Sequence, residues 1–138
     1  MLQRVQTIYL LGACIALVLL FFIPYGAVNL PEASSLLKVS DSVFLSAING
    51  LGALLILITV FLYKQRITQI KMGRVCVGIN LILMASLFFI SSSGKPASAS
   101  NSYSVGAVLP IVSLLFILLA IRGIRKDEDL VRSADRIR

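Results

Sequence analysis

The residues best suited to chemistry crowd one end of the chain. The segment 122–138, RGIRKDEDLVRSADRIR, carries six basic and four acidic side chains, a net charge of only +2. Guanidinium groups interleaved with carboxylates recognise other molecules by paired, charge-assisted hydrogen bonds. Arg122, Arg125, Lys126, Asp127, Arg132, Asp135 and Arg136 are therefore the candidates for a partner-binding face. A helix devoted to lipid alone is more one-sidedly basic. Leu130, Val131, Ala134 and Ile137 stand at i, i+1, i+4 and i+7, the stripe of an amphipathic helix. Glu128 with Arg132 and Asp135 with Arg138 have the spacing of helical ion pairs. Three fates stay open for this segment: a solvated tail, docking on the bundle or bilayer, and binding of a partner.

Elsewhere the means for catalysis are thin. The chain has no histidine, which removes the usual general base and imidazole ligation of zinc or haem. A nucleophilic Ser or Cys needs a base beside it, and every acid sits in a loop or in the tail. An enzyme working on lipid headgroups would have only Cys76 and the tail acids to draw on. The expectation is a non-enzymatic protein with no catalytic residues, metal or cofactor. Cys14 and Cys76 read as small apolar packing residues. Leu11-Gly12-Ala13-Cys14 spells a lipobox, but only about six apolar residues precede it, short of the 7–15 of an export signal. The apolar run then continues through IALVLLFFIP, which favours an uncleaved first helix.

The polar residues inside the apolar runs are Asn49 and Asn80. Each lies about six residues from a span end, and thus about 9 Å deep, but from opposite faces. They are expected to make separate interhelical contacts, with a neighbouring backbone or with a hydroxyl such as Ser46, Ser86 or Ser113. Such bonds average about 0.6 kcal/mol. Gly12 with Ala16, and Ser46 with Gly50 near Gly52, have the small-xxx-small spacing that lets helices approach closely, within the bundle or against a second protein. Pro110 stands near the start of the last span, where it either sits in the first turns or kinks the helix.

The elements that position these residues are dictated by solvent. Of 138 residues, 58% are hydrophobic and 14% charged, against about 25% charged in soluble domains. Charge is absent between Arg4 and Glu32, Asp41 and Lys64, Arg74 and Lys95, and Lys95 and Arg122. These gaps predict four transmembrane helices at about 5–25, 43–63, 75–92 and 103–121, each near the ≈ 20 residues a bilayer requires. Eleven of the thirteen basic residues fall on one side, leaving only Lys38 and Lys95 on the other. Positive loops stay in the cytoplasm, so both termini and the middle loop are expected there. The same asymmetry accounts for the net charge of +7 without nucleic acid, and the basic rim would attract anionic headgroups. The outer loops are 24–42, opened by Pro24 and punctuated by Pro31, and 91–104, whose Ser, Ala, Gly and Pro content reads as a flexible link; neither is expected to be a domain.

The fold class expected is thus all-α: an integral membrane four-helix bundle over 1–121, with both termini inside. A charged cytoplasmic tail over 122–138 would form a short amphipathic helix. The opening MLQRVQTIYLL and the ending AIRGIRKDEDLVRSADRIR resemble a family of small four-helix inner-membrane proteins of Bacteroidota, classed as a domain of unknown function. The resemblance covers essentially the whole chain and implies a multi-pass protein of the bacterial cytoplasmic membrane. It brings no catalytic residue, substrate or cofactor. The expected function is an accessory or scaffold subunit that binds a membrane-protein partner through its helices and cytoplasmic face. The alternative is a small oligomeric transporter or channel for a neutral or hydrophobic solute, with Asn49, Asn80 and Pro110 along the path.

Overall fold

The computed structural model describes residues 2–29, 34–92 and 100–135, with the side chains of 5–27, 35–63, 65–92 and 103–133. Four helices, α1 (Leu2–Phe22), α2 (Val43–Phe61), α3 (Arg66–Ser92) and α4 (Leu109–Asp135), make up most of it. All four are long and apolar enough to cross a membrane. They pack as a closed ring in which α1 touches α2 and α4, and α3 touches the same two. Short chain reversals make sequence neighbours antiparallel.

Local chemistry sets the helix ends. α1 stops at Phe22, short of the expected 25, because Pro24 disfavours helical backbone at the residue before it. Ser42 caps α2, its hydroxyl accepting from the Leu45 amide. A 3₁₀ turn, Leu62–Lys64, carries α2 into α3, whose first nine residues accept charge: Arg66, Lys71 and Arg74 are all helical. α3 therefore begins nine residues ahead of the expected third span. Pro110 is the second residue of α4 and so sits in its first turn, where its missing N–H has no intrahelical acceptor to serve.

The core runs down the bundle axis through Leu10, Leu17, Leu20, Leu45, Ile56, Leu83 and Ile117, all essentially inaccessible. A ring of exposed Ile, Leu, Val and Phe covers the outside. That inversion of ordinary surface composition is what a hydrocarbon solvent calls for.

Two expectations need correction. The outer loops are not mere links. Gly26–Asn29 (β1), Ser34–Leu37 (β2) and Ser100–Tyr103 (β3) form an antiparallel sheet in the order β2-β1-β3, with Gly26 opposite both Leu37 and Tyr103. The fold is consequently helical with a small β cap. β1 follows α1 and β3 precedes α4, and the contact between those helices brings the two strands together. Tyr25 and Val39 are buried beneath the cap. Burial, reinforced by the Asp41 carboxylate, raises the Tyr25 phenol above its ordinary value. The second correction concerns the tail. Residues 122–135 do not form a separate helix; they continue α4 without a break. No proline intervenes, and Gly123 alone costs a helix only about 1 kcal/mol.

Candidate functional site

The end of the bundle opposite the sheet collects the start of α1, the end of α2, the start of α3 and the end of α4. Here α3 and α4 approach closely at one point. A Cβ on Gly73 would lie 2.9 Å from Ile121 Cγ1, so only glycine permits this spacing without a shift of Ile121. Because the two helices are antiparallel, the contact is flanked by Arg74 on its sheet side and Arg122 on the side away from the sheet.

Around that point the two helices leave a groove. A cavity of about 270 Å³ is lined by Arg74, Val77, Leu118, Ile121, Arg122 and Arg125. The α4 contributions are spaced i, i+3, i+4 and i+7, one face of a helix, and those from α3 are spaced i and i+3. A neighbouring cavity of about 260 Å³ shares Arg74 and Arg125 and adds Lys71, Glu128 and Asp129. Further toward the end, Gln65, Arg66, Ile67, Thr68, Glu128 and Val131 line a third.

The expected partner-binding residues divide among three settings. Arg122 and Arg125 are exposed and face the groove together with Arg74. Asp127 turns to the other side of α4, where its Oδ2 accepts from Gln6 Nε2 of α1 at 3.1 Å. This carboxylate braces two helices and is half-buried. Lys126 and Arg132 are exposed along the α4 extension. Asp135 is the last helical residue, but its side chain lies outside the described residues, as does all of Arg136. Leu130 and Val131 are 53% and 44% exposed, so this part of the apolar stripe does not pack on the bundle. The i+4 spacing of Glu128 and Arg132 does not become an ion pair among the described residues, and the partner of the Asp135–Arg138 pairing lies outside them.

Sequence reasoning missed Gln6 and Gln69. Gln69 Nε2 donates to the Thr59 carbonyl at 3.1 Å, tying α3 to α2. Their signal was position: both lie near span ends on the buried face, where a long amide reaches a neighbouring helix. Asn49 Nδ2 donates to the Leu17 carbonyl at 3.0 Å, and Asn80 Nδ2 to the Ser113 hydroxyl at 3.0 Å. The two amides are thus on different helix pairs. Neither asparagine Oδ1 has a hydrogen-bond partner. Gly12 packs against Phe116, and Gly52 against Leu17 and Ile79, so these small residues serve contacts inside the bundle. Cys14 is half-buried against the Ala53 carbonyl, and buried Cys76 lies 3.8 Å from Thr59 Oγ1.

What this end of the molecule can do follows from its groups. It offers paired guanidinium donors beside apolar walls, groups suited to holding anionic and amphipathic molecules. Comparison with known proteins gives one match, to a family model described as a domain of unknown function (DUF4293), over residues 2–137. No curated protein and no solved structure matches the chain.

Proposed function

We propose that this chain, which belongs to the DUF4293 family, is a non-enzymatic accessory or scaffold subunit of a bacterial inner membrane, with its basic end in the cytoplasm. The bacterial and inner-membrane assignments draw on the resemblance of the two chain ends to proteins of Bacteroidota and on the positive-inside rule. The single observation that supports the role is the continuous α4. Its apolar half packs in the bundle, while the same rigid helix extends Arg122, Arg125, Lys126 and Arg132 into solvent. An extension held by the bundle presents charges to a partner without the entropic cost of ordering a free tail.

The interior supports the same reading. It is filled along its axis by leucine and isoleucine, and the amides of its buried asparagines are used between helices. A solute path would have to run elsewhere, between copies of the chain.

The test is purification of the tagged, full-length protein from its native membrane in mild detergent, followed by native mass spectrometry. The expected result is a reproducible, stoichiometric companion that is lost when Arg122, Arg125, Lys126 and Arg132 are changed together to alanine. Circular dichroism of the variant should remain that of the parent bundle. A homo-oligomer with no companion would overturn this reading and favour the transporter alternative.

A further inference from the structure

We propose that the groove between α3 and α4 is a binding site for one anionic phospholipid, with its phosphodiester among Arg74, Arg122 and Arg125 and an acyl chain leaving along Val77 and Leu118. The inference deepens the reading above and rests on its premise that the helices span a membrane.

Four observations carry it. The first is polarity along the groove. Leu118 and Arg125 are seven residues apart on α4, about 10 Å along the axis, and the lining changes over that distance from apolar to basic. A phospholipid changes in the same sense from chain to phosphate. The second is level. The uncharged part of α3 after Arg74, residues 75–92, is about 27 Å long at 1.5 Å per residue, close to the ≈ 30 Å of a hydrocarbon core. The Gly73–Ile121 contact sets Arg122 within about 3 Å of Arg74 along the axis, one residue to either side of the contact. Both arginines thus fall where lipid phosphates lie.

The third observation is unspent charge. Among the described residues no ion pair takes up Arg74, Arg122 or Arg125, and no carboxylate lines their cavity. Three guanidinium groups around one apolar-walled space repel each other, and an anion relieves that repulsion while accepting their forked donors. The fourth is the adjoining cavity. Arg74 and Arg125 border it too, with Lys71, and Glu128 and Asp129 follow Arg125 on the same face of α4. Carboxylates accept hydrogen bonds from hydroxyl groups and repel a second phosphate. Three cations, Lys71, Arg74 and Arg125, line it against those two carboxylates, so the pair of cavities favours a single phosphodiester with an uncharged, hydroxylated headgroup, such as glycerol, over one with an ammonium group. A free phosphate would leave the apolar half of the groove unused.

The experiment uses the purified full-length chain in detergent, titrated with phosphatidylglycerol or with phosphatidylcholine of the same acyl chains and read by native mass spectrometry. One phosphatidylglycerol per chain should be retained, about tenfold more tightly than phosphatidylcholine, the factor expected of a charge-assisted contact. Arg74→Gln and Arg122→Gln should each abolish that preference. Lys126→Gln removes the same charge from an exposed position outside the groove and should keep it. Val77→Trp keeps every charge but fills the groove, and should lose the bound lipid. Equal retention of the two lipids would overturn the site. So would an equal effect of Lys126→Gln, which would reduce it to general surface attraction. Displacement by inorganic phosphate at equal concentration would assign the affinity to a free anion and overturn the lipid assignment. Because the adduct is read on the isolated chain, absence of a protein partner leaves this result unaffected, and the two readings fail separately.

Discussion

A buried asparagine brings two N–H donors and a carbonyl acceptor into surroundings that offer little in return. Asn49 is 0% and Asn80 2% exposed, and each uses its amide while its Oδ1 stays without a partner. The gain from Asn80 Nδ2 donating to Ser113 is thus offset by desolvation of its own oxygen. Removing such a group relieves its own desolvation together with its one hydrogen bond, and the partner left behind is a hydroxyl that can turn to its own helix, so the net loss is small. Asn80→Leu is expected to change the stability of the bundle in detergent by no more than about 1 kcal/mol. Ser113, which only accepts from Asn80, keeps its own O–H to donate to the carbonyl one turn earlier on its helix. Thermal unfolding followed by circular dichroism checks this; a loss of several kcal/mol would mean that Asn80 holds more than this one contact. That Asn49 and Asn80 are polar residues deep in apolar spans can be read from the chain. Their partner atoms, the Leu17 carbonyl and the Ser113 hydroxyl, depend on helix rotation, which a single sequence does not display.

Among the elements, the β cap depends on one close approach. The 3₁₀ turn Val105–Val108 that leads into α4 lies directly on the end of α1. A Cβ on Gly106 would stand 2.4 Å from the Pro24 carbonyl oxygen and 3.0 Å from that of Ile23. Both are backbone atoms of a segment held by Tyr25, whose amide donates to Leu37 and whose carbonyl accepts from Ser104. Relief by a side-chain rotation is therefore closed. Gly106→Ala is expected to cost about 1–3 kcal/mol, the usual range for overpacking, and to loosen the cap before the helices. Hydrogen exchange is the suitable measurement: the amides of Tyr25 and Ser104 should lose protection while those of α2 keep theirs. Unchanged protection would show that the turn can move off Pro24. The serine-rich outer loops carry no strong strand pattern of their own. Pairing them is a long-range event, made possible by the α1–α4 contact. The continuation of α4 past Ile121 has the opposite origin, since nothing in its local sequence stops a helix.

For the whole molecule, the governing quantity is the uneven distribution of charge between its two ends. Arg66, Lys71, Arg74, Arg122, Arg125, Lys126 and Arg132 are all carried at the end away from the sheet. The proposed orientation puts this end in the cytoplasm. It is tested with a chain whose Cys14 and Cys76 are replaced by alanine and which carries one new cysteine, Ser35→Cys or Asp129→Cys, both exposed positions. In intact cells a membrane-impermeant maleimide should label the first and reach the second only after permeabilisation. The reverse pattern would invert the orientation, yet leave the α3–α4 groove at a bilayer surface.

Four helices long and apolar enough to cross a membrane follow from composition and charge spacing alone, because length and apolarity are both local properties of the chain. The sequence also determined that most of its charge would gather at one end of those helices. Only the tertiary structure decided which charges meet. Packing Gly73 against Ile121 places Arg74 beside Arg122 and Arg125, while the turn of the same helix sends Asp127 away to Gln6. Those outcomes depend on the rotation and spacing of helices about one another, which side-chain packing sets and hydropathy does not encode.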